Sequence, residues 1–371
     1  MAKKAPAETR PMFDRSALAW PGAPMALASA ALFGASTPLA KLLLGGGVDP
    51  WLLAGLLYLG SGLGLGVTHV ARGLVGMPAA EAPLRRADIP WLGLVVLSGG
   101  VIGPLLLMLG LARTPASSAA LLLNVEGLAT MAIAWVVFRE NVDRRLLFGA
   151  GAILAGALLL SWQGGPAGVG MGALAIVGAC VAWGVDNNLT RRLSSADPVQ
   201  IAALKGVAAG AVNLGLALAH GASFPSGVAI AGAAVVGFFG YGVSLVLFVL
   251  ALRHLGAART GAYFSTAPFL GAALALVLFR EPVTVQLIAA AGLMAIGVYL
   301  HLSERHEHEH LHEALDHEHR HVHDDHHQHA HGPDDPSGEP HTHRHRHVPM
   351  RHKHPHYPDL HHRHEHAPTG R

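Results

Sequence analysis

Long apolar runs separated by short polar punctuation fill residues 22–302. A helix that crosses a bilayer needs about 20 mostly apolar residues. Ten segments have that length: 22–44, 50–71, 89–111, 116–138, 145–162, 170–190, 198–219, 227–252, 257–279 and 284–302. The breaks between them carry turn or charge signals: Gly45-Gly46-Gly47 before Asp49-Pro50, Arg85-Arg86-Ala87-Asp88, Asn141 to Arg145, Gly164-Gly165-Pro166, Ser194 to Pro198, and Phe224-Pro225. The runs have almost no polar face, so the pattern predicts an all-α integral membrane protein and not a soluble bundle. The first run is too long for the apolar region of a cleavable signal, about 7–15 residues, and is expected to stay as the first span.

Composition sharpens this picture. Between Ala17 and Leu302 there are 14 Lys/Arg and 9 Asp/Glu, far below the roughly 25% charged residues of a soluble domain. Histidine is concentrated at the other end: residues 303–371 hold 23 of the 27. The first 302 residues carry 18 basic and 11 acidic side chains, whereas the tail carries 8 and 13. A single cysteine, Cys180, excludes a disulfide scaffold. A net charge of +2 gives no electrostatic footprint for nucleic acid. If the N-terminus is cytoplasmic, 14 Lys/Arg fall in inside segments, while Arg113, Arg280 and Lys41 fall at the outside. The positive-inside rule then predicts a plasma (inner) membrane protein with both termini cytoplasmic.

The apolar body repeats. A shift of 141 residues lays 109–160 on 250–301, with Phe138-Arg139-Glu140 on Phe279-Arg280-Glu281, Gly151 on Gly292 and Gly156 on Gly297. Earlier in each half the offset is near 150: Phe33-Gly34 meets Trp183-Gly184, Leu39 meets Leu189, and Lys41 meets Arg191. Each half holds five spans. Five is odd, so the second copy enters the bilayer from the opposite side, an arrangement typical of secondary transporters. The predicted units are an N-terminal segment 1–21, two five-helix repeats 22–162 and 163–302, and a tail 303–371.

Over residues 22–302 the chain resembles the drug/metabolite transporter superfamily, EamA type. The residues that carry the resemblance are the "WG"-like pairs Phe33-Gly34 and Trp183-Gly184, the small-residue fourth spans ending in Phe138-Arg139-Glu140 and Phe279-Arg280-Glu281, and the glycine-spaced fifth spans. Ala116 to Leu122 and Ala257 to Ala267 also look like that family's fourth-span opening. The resemblance implies an exporter of a small solute. Pro268, which fits the family's mid-span proline, is matched in the first half by Gly127, preceded by Glu126.

Glu126 lies near the centre of its span, where an ionisable group is costly and normally faces the bundle interior or a wet cavity. Its functional reading is a proton or cation site; the alternative is buried pairing. Lys205 lies about 10 Å and Asp186 about 6 Å from the inner face at the rise of a helix, so these two are the better matched pair by depth. Asn124, Asn187 and Asn188 supply amides that either contact a solute or join helices. Ser36-Thr37-Pro38 is expected to unwind the first span locally. Glu140 and Glu281, at span ends, are expected to act as caps or boundary contacts. His69, His220 and His254 are expected at the interface. The transport path is therefore assigned to Glu126, Asn124, Asp186, Asn187 and Lys205. No Ser/His/Asp set, P-loop or GxGxxG argues for an enzyme or for ATP drive.

In the tail, histidines recur as H-x-H: His306, His308, His310, His312; His317, His319, His321, His323; His341, His343, His345, His347; and His352, His354, His356. A shift of 35 residues places all eleven histidines of 341–366 on histidines of 306–331. Imidazole suits Zn, Ni, Co and Cu ions, and affinity should fall as pH drops through about 6.5. Without metal such a segment has little to bury and is expected to be disordered. Three functions follow: export of a divalent transition metal with the tail collecting or sensing it, export of a small organic metabolite or amino acid regulated by the tail, or a membrane-tethered metal buffer. The expected partners are the lipid bilayer, a metal-ion or small-molecule substrate, and a second copy of the chain in a homodimer.

Overall fold

The computed structural model describes residues 22–74, 84, 86–138, 144–162, 169–190, 193 and 197–303, together with the backbone of four short tail strands. Ten helices in it are long and apolar enough to cross a membrane: Gly22–Gly45, Pro50–Arg72, Arg86–Arg113, Ala116–Val137, Arg144–Ser161, Met171–Thr190, Val199–Ala219, Gly227–Ala251, Thr260–Phe279 and Val285–Leu302. These are spans 1 to 10 below. They match the apolar runs of the sequence within about three residues at each end.

Span 1 is one helix, α1 (Gly22–Gly45), with Pro38 inside it. The expected unwinding at Ser36-Thr37-Pro38 does not occur. Pro38 cannot donate to the carbonyl four residues back, yet the Ser36 hydroxyl donates to Phe33 O at 2.6 Å and both flanking turns stay buried. Span 2 is α2 (Pro50–Leu74). Span 3 joins α3 (Ile89–Val95) to α4 (Gly103–Arg113) through a π-helical turn, Val96–Ile102. Span 4 is broken: α5 (Ala116–Leu122) and α6 (Val125–Phe138) meet at Leu123-Asn124. Span 5 is α7 (Arg144–Ser161).

The second half repeats these irregularities. Spans 6 and 7 are α8 (Met171–Thr190) and α9 (Pro198–Ala219). Span 8 runs from α10 (Gly227–Gly237) through a second π-helical turn, Phe238–Val243, into α11 (Ser244–Phe264). Helical backbone continues through 252–257, where the sequence reading places a short connection; that stretch contains no proline to stop it. The break falls instead at Ser265-Thr266, ahead of α12 (Ala267–Phe279), and α13 (Val285–Leu302) closes the bundle. The two breaks, at Asn124 and Ser265, stand 141 residues apart, the same offset that relates the sequences.

Small residues set how closely the helices approach. Span 2 crosses span 7 at Gly62 and Gly206, where a Cβ on Gly206 would come within 2.6 Å of Gly62 Cα. Span 1 crosses span 9 at Gly34 and Gly271, and span 6 crosses span 4 at Gly184 and Ala129. Without a hydrophobic drive between helices in lipid, such close backbone packing and interhelical hydrogen bonds hold the bundle. The core, including Leu52, Leu53, Leu107, Met108, Leu121, Leu122, Ile176 and Met294, lies where the two halves meet.

In the tail, four stretches have strand backbone: β1 (Glu307–His312), β2 (Asp316–His321), β3 (His341–Arg346) and β4 (Met350–Pro355). β1 pairs antiparallel with β4, and β2 with β3. His306, His323, His347 and His356 lie outside the described residues, as do Glu140 and Arg191.

Candidate functional site

The π turn of span 3 organises the site. A π turn frees carbonyls from the ordinary helical ladder, and here side chains from three other spans take them. Tyr58 Oη and Trp183 Nε1 both donate to Gly99 O, at 2.8 and 3.0 Å, and Asn213 Nδ2 donates to Gly100 O at 2.9 Å. Spans 2, 6 and 7 are thereby tied to one point. Gly99 and Gly100 must be glycines: a Cβ on Gly99 would collide with the Asp186 carboxylate, and one on Gly100 would lie 2.6 Å from Ala209 Cβ.

Against this turn lies an ion pair. Lys205 Nζ on α9 donates to Asp186 Oδ2 on α8, and Thr190 Oγ1 donates to Asp186 Oδ1 at 3.2 Å. The side chains of Asp186 and Lys205 are 7% and 18% exposed, so the pair is largely withdrawn from solvent. The partner chosen by depth in the sequence is the partner in the structure.

Glu126 is placed by the break in span 4, in the first turn of α6. Asn187 Nδ2 donates to Glu126 Oε1 at 3.0 Å and to Thr130 Oγ1 at 3.2 Å. Among the described residues its carboxylate forms no salt bridge, although Asp186, Lys205, Tyr58 and Tyr241 lie within electrostatic reach. Asn187 is exposed and Glu126 half-buried.

Asn124, assigned to the same path, is turned elsewhere. It is buried, and its amide donates to Leu121 O at 2.8 Å and approaches Met294 Sδ at 3.8 Å, so it closes the break in the helix. Asn188 ties span 6 to span 4 through Thr130 O and satisfies Gly184 O. Rings of the two halves pack on one another: Phe33 stands edge-on to Tyr241 at 6.0 Å between centroids and packs on Phe264 at 5.3 Å, while Tyr58 lies 5.6 Å from Tyr241.

The sequence reading missed Tyr58, Tyr241 and Asn213. The available signal was three polar-tipped side chains inside apolar spans, facing the glycine-rich stretches Ser98-Gly99-Gly100 and Gly240-Tyr241-Gly242.

The end of the bundle opposite Gly22 and Ser303 is fastened by two charges. Lys41 Nζ donates to the carbonyls of Leu111, Ala112 and Thr114, at 2.5, 3.3 and 3.1 Å, which neutralises the C-terminal end of α4. Glu281, from the second half, accepts from the N–H groups of Ala116 and Ser117 at 2.6 and 3.0 Å and from the Ser117 hydroxyl. It caps a helix of the first half from 164 residues away in sequence. Of the boundary histidines, His220 stacks on Trp51 at 5.6 Å.

Residues 20–162 and 170–303 each match the EamA-like transporter family. The chain belongs to the EamA-like transporter family. An uncharacterized transporter from Methanothermobacter thermautotrophicus is 30% identical over 239 residues, which cover 62% of this EamA-like chain and 70% of the relative. A solved crystal structure superposes with a TM-score of 0.54 at 21% identity, over 76% of this chain and 96% of its own, and shows a shared fold. The match to one family in each half, with five candidate spans in each, makes this EamA-like protein a multi-pass membrane transporter built from a repeated unit. Among the described residues, no three His, Cys, Asp or Glu side chains converge as a metal set.

Proposed function

We propose that this EamA-like protein is a secondary exporter of a small organic solute carrying a cationic group, driven by a proton or cation gradient with Glu126 as the switching carboxylate. One observation carries the reading: the Lys205 ammonium is committed to Asp186, while Glu126 accepts from the Asn187 amide and forms no salt bridge among the described residues. The uncompensated charge on Glu126 is offset either by a proton or by the solute's own cation, so the two compete for one site. The ring faces of Phe33, Phe264, Tyr58 and Tyr241 suit an organic cation, which they attract at low cost in desolvation.

We read the site as reached from the end of the bundle that holds Gly22 and Ser303. Asp186 and Lys205 lie near that face, while Lys41 and Glu281 fasten the opposite end. With the Lys/Arg asymmetry, the reading is a cytoplasm-facing state in the plasma membrane with both termini inside.

A second reading, export of a divalent transition metal such as Zn, Ni, Co or Cu, is favoured by the 23 histidines of the tail, which would collect or sense the ion on the cytoplasmic side. Purified protein in proteoliposomes with an imposed pH gradient distinguishes the readings. Gradient-driven flux of an ammonium-bearing metabolite from a screened panel, lost in Glu126→Gln, is the expected result. Flux of labelled metal with no organic flux moves the assignment to the second reading. Organic flux indifferent to proton and cation gradients removes the coupling.

A further inference from the structure

The π turns of the two halves are built alike and partnered differently. In the first, Gly103 N–H donates five residues back, to Ser98 O, and Pro104 brings no N–H. Two carbonyls are left over, those of Gly99 and Gly100, and Tyr58, Trp183 and Asn213 take them. In the second, Ser244 N–H donates five residues back, to Phe239 O, before the four-residue ladder resumes in α11. The step from five back to four leaves one carbonyl within Gly240-Tyr241-Gly242 without an N–H. Leu245, the repeat mate of Pro104, keeps its N–H, so here one carbonyl is left over and not two.

None of the three donors of the first turn is repeated. Trp183 is matched by Phe33 at the offset of 150, and Asn213 and Tyr58 by Leu65 and Gly206 at the offset of 148. Two of these mates hold the corresponding places: the Phe33 ring meets Tyr241 edge-on, and a Cβ on Gly242 would stand 3.4 Å from Leu65 Cγ. Neither brings an N–H or O–H. Among the described residues no side chain donates to a carbonyl of Gly240, Tyr241 or Gly242. Ser61, 5% exposed, lies beside the same turn, 3.3 Å from a Cβ placed on Gly242, and its hydroxyl donates to none of the described residues. Buried carbonyls are normally paired; at this turn the chain supplies no donor. Tyr241 is within electrostatic reach of Glu126, so a cation at the turn stays in the field of that carboxylate.

We propose that the second π turn is the subsite that receives the solute's ammonium group: the unengaged carbonyl and the Ser61 hydroxyl accept from its N–H groups, and the Phe33 and Tyr241 rings flank it. This rests on the reading of a cationic solute and narrows it to ammonium ions that carry at least one N–H, as against quaternary ones. Rings alone attract a quaternary ammonium. An N–H aimed at a carbonyl adds a charge-assisted hydrogen bond.

The test gives the second turn the donor that the first already has. In the full-length protein in nanodiscs, Leu65→Asn places an amide where Asn213 stands in the other half. Calorimetry with phenethylammonium and with its N,N,N-trimethyl form reads the subsite. The wild type is expected to bind the primary ammonium roughly tenfold or more tightly than the trimethyl form. Leu65→Asn is expected to remove that preference, with the unfolding temperature equal or raised because a carbonyl gains a partner. Leu65→Met, which brings no donor, is expected to keep the preference. Should Leu65→Asn fold poorly, Phe33→Trp places an indole N–H as Trp183 does and is expected to act the same way. Equal wild-type binding of both forms, or a preference that survives both donor substitutions, overturns the subsite and leaves the cationic-solute reading standing. Stabilisation by sodium chloride but not by choline chloride, lost in Leu65→Asn and without any N–H preference, gives the turn to a sodium ion and likewise overturns it. If neither organic form binds, the subsite falls, and the flux panel alone decides the cationic-solute reading.

Discussion

The two halves share their irregularities and differ in their charges. Both have a π turn in the third span and a break in the fourth. Both press a glycine of that turn onto the first span of the other half: Gly99 against Asp186, and Gly240 against Ser36. Asp186 and Ser36 are repeat mates at the offset of 150, as are Trp183 and Phe33. Glu126 is matched by Ala267, and Lys205, at the offset of 148 set by Asp197-Pro198, by Leu57. The scaffold is thus duplicated, while the ionisable chemistry inside the bilayer is held by spans 4, 6 and 7. Symmetry serves the motion expected of inverted repeats; under the proposed function, the asymmetry is where a solute and a driving ion would be handled.

The hardest test of that division is Glu126→Gln. It keeps the shape and the Asn187 contact but cannot gain or lose a proton. Gradient-driven flux in proteoliposomes should fall by about 100-fold or more, with thermal stability unchanged within about 1 kcal/mol. Equal flux would show that the asymmetry at this position is incidental. Next comes Asp186→Asn, which leaves Lys205 withdrawn from solvent without its carboxylate. A buried pair broken from one side costs about 3–5 kcal/mol, and partial exposure of Lys205 lowers that to roughly 2 kcal/mol. Replacing both partners with the residues of the first half, Asp186→Ser with Lys205→Leu, should recover most of the apparent unfolding temperature while flux stays low. Failure to recover would mean that the pair is structural and not part of the path.

Smaller effects separate the two π turns. Gly99→Ala must displace the Asp186 carboxylate, whereas Gly240→Ala meets Ser36 Cβ at 2.6 Å. Overpacking costs about 1–3 kcal/mol, and the first substitution should sit at the upper end and disturb flux more. The smallest effect is expected for Glu281→Gln, which weakens a charge-assisted helix cap by about 1 kcal/mol. In an alternating transporter that shift favours the outward-open state, read as faster thiol labelling of a Ser117→Cys reporter from the outside. Unchanged labelling would reduce Glu281 to a static cap.

The ten spans were legible because length and apolar content alone define them, and each run ends at glycine, proline or charge. The Asp186–Lys205 pair was legible because helical rise converts sequence position into depth. Other features left no such trace. A π turn changes hydrogen-bond partners without changing composition, so the turns at Val96–Ile102 and Phe238–Val243 hide inside uniform apolar runs. Ser36-Thr37-Pro38 reads locally as a weak point, yet packing against span 9 keeps the helix whole. Asn124 and Asn187 look alike in sequence, and only the break at Leu123-Asn124 sends one to Leu121 O and the other to Glu126. Glu281 was recognisable as a cap, but its helix belongs to the other half.

A carbonyl oxygen has two lone pairs, and at Gly99 both have takers, the Tyr58 hydroxyl and the Trp183 indole. Its neighbour Gly100 is held by Asn213. On the proposed path, a solute moving past this turn would find these two carbonyls already engaged and would be sorted by side chains. Under that reading, cargo choice would be editable one side chain at a time, with the backbone of the turn left untouched.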